Sequence, residues 1–271
     1  MKELEFKISY DGGSAADGLL DIYDAGISIH GLSRSLAITT HAFIHEGEIR
    51  RRAERARGAK IYISPPRHGS FEEVVKIVLS HDATAAIGYS VVAAAFWDFL
   101  KWTWSAAVGK EEEPTTSYVK KIAERKEPFL GEIATVLESS MAELHRPIGS
   151  DEQITIDVIR PRVGTILTLD RETLQYVSTR SESDVIENVS VNVTKYNILS
   201  GFGRFYDDAE GRTVSFEIDQ EMATEEKRLL TWSLDQRSQG NGGKLLVDVT
   251  RVLNARDELK RYKVTSVRRA P

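Results

Sequence analysis

Residues 83–97 carry no charged side chain, in a chain whose charged residues make up 28% of the whole. Apolar character resumes after Asp98 and Lys101 and runs to Val108. Three of the four tryptophans fall here, Trp97, Trp102 and Trp104, before Glu111, Glu112, Glu113 and Pro114 end the run. A helix crossing a bilayer needs about 20 mostly apolar residues, and residues 83–109 supply that length. Tryptophans at one end suit a membrane interface, and Ala93, Ala94 and Ala95 suit close helix packing. Asp98 and Lys101 oppose insertion, since each costs roughly 2.5–3.5 kcal/mol at a helix centre. Three apart on a helix, they can offset each other or line a watery path in an oligomer. The segment therefore reads as one long apolar helix that meets lipid or sister subunits. The competing reading is a helix buried in protein. The expected location is the inner membrane or the cytoplasm.

The rest of the chain bounds the alternatives. No cysteine occurs among the 271 residues, which excludes disulfide scaffolds, zinc fingers and thiol nucleophiles. Thirty-six basic residues against 41 acidic ones give a net charge of −5, so an anion site must be a local patch. The first residues alternate polar and apolar and show no secretory leader.

The first part reads as an α+β domain over residues 1–177. Leu4, Phe6, Ile8 and Tyr10 alternate as a strand. Asp24 is placed to cap a helix carrying Leu32, Leu36 and Phe43. A basic stretch from Arg50 to Lys60 precedes the strand of Ile61 and Ile63, a turn at Pro65, Pro66 and Gly69, and a returning strand over 71–79. Helix is expected over 116–146 with a break at Pro128, then strands at Ile154–Ile156–Val158 and 166–169. Asp170 caps a short helix ending near Val177. The polar stretch STRSESD at 178–184 reads as a linker.

Residues 185–271 read as three strands, a helix and two strands. Thr224 is expected to cap that helix, with Glu225 and Glu226 suiting the positive end of its dipole. This order resembles the oligonucleotide-binding (OB) barrel, a small five-stranded Greek-key barrel, and the resemblance implies a ligand face on it. Phe202, Arg204 and Tyr206 share one side of a strand by period two. Lys195 and Arg212 lie on neighbouring strands, and Lys260, Arg261 and Lys263 on the last. Aromatic faces stack on bases and cations meet phosphates, which is what single-stranded nucleic acid requires. Six basic and two acidic residues between positions 256 and 269 give the end of the chain a local positive excess.

Four short runs carry a second resemblance: IYDAG at 22–26, LAITTH at 36–41, the turn from Ser64 to Phe71, and LTLD at 167–170. On these the chain resembles an uncharacterised bacterial family of two-domain proteins. Among named proteins, the chain also resembles the membrane effectors of Hailong-type anti-phage defence, channels held shut by short DNA oligomers. The resemblance implies an oligomeric, ion-channel-like effector controlled by a nucleotide or short oligonucleotide bound at the barrel. The alternative is a soluble nucleic-acid-binding or regulatory adaptor whose apolar helix lies at an oligomer interface. Self-association, a short DNA or nucleotide, and lipid are the expected partners.

Catalytic signatures are incomplete, so no enzyme, cofactor or metal is expected. His41 and His45 are four apart on a helix, but Glu46 does not complete the HExxH pattern. Gly201–Phe202–Gly203 lacks the third glycine of a dinucleotide loop, and GNGGK at 240–244 reads as a helix stop followed by a strand.

Overall fold

The computed structural model describes residues 1–50, 55–64, 71–124, 129–178, 181–198, 201–219, 221–253 and 259–271. The expected turn at 65–70, Arg51 and Arg52, Pro128, and part of the basic run at 256–269 lie outside these. The chain divides into two compact units, Met1–Ser178 and Thr179–Pro271.

The first unit is built on an antiparallel sheet of β1 (Lys2–Asp11), β2 (Ala59–Ser64), β3 (Phe71–Leu79), β4 (Thr155–Arg160) and β5 (Gly164–Leu169), in the order β2-β3-β1-β4-β5. Alternation puts one face inside. Leu4 pairs with Ile77, Phe6 with Val75, and Ile8 with Val158, all buried. The opposite face is polar, and Lys76 bridges Glu3 and Glu5 at 3.3 and 3.4 Å while Lys7 meets Glu72 at 2.8 Å. A sheet with one apolar face must be covered on that face.

Helices α1 (Ile22–Ile44), α2 (His81–Ile87), α3 (Val92–Ala107), α4 (Ser117–Ala123), α5 (Phe129–Leu144), α6 (Arg146–Ser150) and α7 (Arg171–Ser178) supply that cover. Helix α1 is capped by Asp21, whose carboxylate accepts from the amides of Tyr23 and Asp24 at 2.9 and 3.1 Å. Asp24, the expected cap, sits inside the first turn and takes the Arg146 guanidinium at 2.8 Å instead. Gly31 lets α1 touch α5: a Cβ there would stand 2.5 Å from Leu144 N and Ser140 O.

The expected single helix over 83–109 does not form. Gly88 takes a φ of +108°, and α2 and α3 meet at an 85° bend. No single helix among the described residues is long and apolar enough to cross a membrane.

The second unit is a closed barrel of β6 (Ser181–Asn197), β7 (Phe202–Asp207), β8 (Arg212–Ile218), β9 (Leu245–Leu253) and β10 (Leu259–Arg269). Numbered within the unit, the strands run 1-2-3-5-4 and back to 1, with the third and fifth parallel and every other pair antiparallel. The stretch expected as a linker is strand from Ser181 onward. It lacks an apolar face, and the ladder to β9 through Ser181–Leu253 and Glu182–Val252 places it by backbone pairing. Three bulges let β6 pair with β9 along its first half and with β7 along its second. Helix α8 (Thr224–Ser238) has Ala223, not Thr224, at its cap position, and no side chain caps it there. Glu226 in its first turn instead accepts from Val267 N and Ser266 Oγ, both at 3.0 Å.

Candidate nucleic-acid interface

Parity sorts the barrel's side chains. Phe205, Val214, Phe216 and Val264 are fully or almost fully buried in the interior. Phe202, Arg204 and Tyr206 therefore point outward from β7, as do Thr213, Ser215 and Glu217 from β8. Register aligns these in rows. Lys195 lies opposite Arg204, Arg204 opposite Ser215, and Ser215 opposite Arg261. One row across four strands thus holds three cations and a hydroxyl. The next row is Phe202, Glu217 and Lys263. On the other side Tyr206 pairs with Thr213, and Arg237 of α8 stacks over its ring at 5.8 Å. Gly203 is what lets this face approach the interior: a Cβ there would stand 2.2 Å from the Phe216 ring.

The face gathers Lys195, Phe202, Arg204, Tyr206, Arg261 and Lys263. It does not gather the other two expected residues. Arg212 shares the parity of Val214 and sits at a strand end, bonded to Glu210 and to Leu259 O. Lys260 falls in the register shift between Leu259 and Arg261. The face is also partly neutralised. Arg204 and Arg261 are only 5% and 8% exposed, Arg261 lies 3.4 Å from Glu217, and Lys263 pairs with Glu182.

The residues expected to meet lipid or sister subunits are consumed by their own domain. Trp97, Trp102 and Trp104 are 6%, 4% and 0% exposed. Trp97 edges onto Phe6, Trp102 stacks on Phe129, and the Trp104 indole donates to Thr39 Oγ1 at 2.8 Å. Asp98 faces the loop before α4, accepting from the amides of Thr115 and Thr116 and from both hydroxyls at 2.6–3.0 Å. Burial pushes its carboxyl up, but these bonds outweigh burial and hold it below the ordinary carboxylate value. Lys101 pairs with Glu112 at 2.7 Å. The two charges interrupting the apolar run thus clasp residues 112–116 onto α3.

Residues 6–178 match a family model described as a domain of unknown function, DUF7946, and residues 186–268 match one described as a family of unknown function, DUF7947. The chain belongs to the DUF7946 family. No curated protein and no solved structure matches it. The DUF7946 match takes in α3, the histidine pair and nearly all of the sheet, and the DUF7947 match takes in the whole barrel face.

Inside the DUF7946 domain, His41 and His45 pack with ring centroids 4.3 Å apart and their planes tilted by 37°. Burial, then His45, lowers the His41 pKa, while Glu48 at 3.5 Å opposes this. Among the described residues no group of three donors could hold a metal ion. Buried ionisable groups escaped the sequence reading, Glu73 and His145 among them. Glu73 is 3% exposed on the inner face of β3, opposite Ile8, and its Oε2 has no hydrogen-bond partner among the described residues. Burial raises its pKa to about 7. Its shared parity with Val75, Ile77 and Leu79 was the available signal. His145, fully buried, lies 2.6 Å from the Met141 carbonyl and 2.9 Å from Thr173 Oγ1, and burial lowers its pKa to about 4.

Proposed function

We propose that the C-terminal barrel is an OB-type module that takes a short single-stranded nucleic acid, and that the protein is a non-catalytic binding or regulatory adaptor. One observation carries this: a row of Lys195, Arg204, Ser215 and Arg261 crosses four strands, flanked by the rings of Phe202 and Tyr206. The strand order with parallel third and fifth strands is that of an OB barrel, whose second and third strands form the usual ligand face. Those strands are β7 and β8. The channel-like effector reading needs an apolar helix offered to lipid or to sister subunits. With the three tryptophans inside the domain, we favour the adaptor, and any self-association would use another surface. The defence setting suggested by the four short runs motivates short DNA as the first probe.

The test is fluorescence anisotropy of the full chain with a labelled 12-mer of thymidylate, titrated at several salt concentrations. Saturable binding that weakens with salt is expected, since phosphate contacts release counterions with a slope of about −0.7 per contact for single strands. Lys195→Glu should weaken binding and flatten that slope. Phe202→Leu should weaken it about 5- to 150-fold, because stacking contributes roughly 1–3 kcal/mol per base. Lys195 is exposed, so its variant should melt as wild type does. No saturable binding, or wild-type affinity in both variants, would overturn the assignment.

A further inference from the structure

The first unit contains a cleft of about 480 Å³ between α1 and the edge strand β2. Its floor is apolar, with Leu32 and Leu36 from α1 and Ile61 and Ile63 from β2. The volume falls within the roughly 300–1,000 Å³ typical of small-molecule sites. Two cations, Arg55 and Lys60, also line the cleft. Both are exposed, and neither has an ion-pair or hydrogen-bond partner among the described residues. An apolar cleft edged by two unpaired cations has the complementarity of an amphipathic anion.

We propose that this cleft binds a free small molecule with an apolar chain and one carboxylate, the chain lying between Leu36 and Ile61 and the carboxylate meeting Arg55 and Lys60. This site is independent of the barrel, so it stands or falls separately from nucleic-acid binding. The two halves of such a ligand can be tested with a matched pair. Titration calorimetry of the full chain with decanoate and with decanol reads them separately. Decanoate should bind the wild type, and the Arg55→Gln/Lys60→Gln variant should lose roughly tenfold or more of that affinity, the scale of charge-assisted contacts. Decanol should bind more weakly than decanoate and be unaffected by that change. Ala37→Leu, which adds a side chain inside the cleft, should abolish binding of both. Ser33→Leu serves the same purpose if Ala37→Leu does not melt cooperatively. Absence of decanoate binding, equal binding of decanol and decanoate, or insensitivity to the double variant would overturn the proposal. So would co-sedimentation with phosphatidylglycerol vesicles without any decanoate binding.

Discussion

Glu73 and His145 pull the stability of the first unit in opposite directions with pH, and removing one exposes the other. Glu73 moves from an ordinary value of 4.5 to about 7 on folding. Between those values the folded state binds a proton that the unfolded state does not. Its contribution is therefore fully present below pH 4.5 and is lost as pH rises through 7. His145 moves from 6.5 to about 4. Its contribution is present above pH 6.5 and is lost as pH falls toward 4. Each pH unit crossed inside such a window changes stability by about 1.4 kcal/mol. Going from pH 8 to pH 5 therefore gains roughly 2.5 kcal/mol from Glu73 and loses roughly 2 kcal/mol from His145. The two nearly cancel. Glu73→Gln keeps the shape and removes the titration, so it should be more stable than wild type at pH 8 by a margin roughly 2.5 kcal/mol larger than at pH 5. Urea denaturation of both proteins at the two pH values reads that difference directly. An offset between the curves that is the same at pH 5 and pH 8 would refute the reasoning, whatever its size. So would a variant relatively better at pH 5.

Two further substitutions test the packing. Asp98→Ala removes the acceptor of the Thr115 and Thr116 amides and should cost about 1–2 kcal/mol in urea denaturation at pH 7. Because the Asp98 pKa is lowered, that cost should shrink as pH falls below 3.8 through its folded value. Gly203→Ala drives a methyl into the Phe216 ring, so it should lower the barrel's stability by about 1–3 kcal/mol, read by near-ultraviolet dichroism during melting.

Strands announced themselves wherever one face is buried. Leu4, Phe6, Ile8 and Tyr10 sit in register with β3 as their alternation implies, and the barrel's three strands, helix and two strands follow the order of their apolar runs. The first half of β6 could not be read this way. Val185 and Ile186 are 55% and 40% exposed, and the strand is positioned by its ladder to β9 and by bulges that leave no periodic trace. Cap positions also slipped by a few residues, because several acids and hydroxyls near a helix start are chemically equivalent until packing chooses between them. Asp21 and Asp24 are such a pair. For the candidate site, parity alone placed Phe202, Arg204 and Tyr206 together. The lateral order of Lys195, Ser215 and Arg261 required strand topology, which no single strand encodes. Arg212 shows the limit of proximity in sequence: it starts a strand of the face and points off it.

The apolar run shows how the same composition serves opposite ends. A lipid-facing helix and a core helix both exclude charge, because neither environment solvates an ion. What separates them is where the interrupting charges and polar aromatic edges find partners. In a membrane, Trp N–H groups would seek the interface and Asp98 and Lys101 a watery path. Here each finds its partner within the same domain: Trp104 on Thr39, Asp98 on Thr115 and Thr116, Lys101 on Glu112. The last two lie just beyond the helix, in the polar residues that close the run. The three consecutive glutamates before Pro114 marked the end of the apolar segment. One of them, Glu112, is also the reason Lys101 can lie on a helix packed in the core.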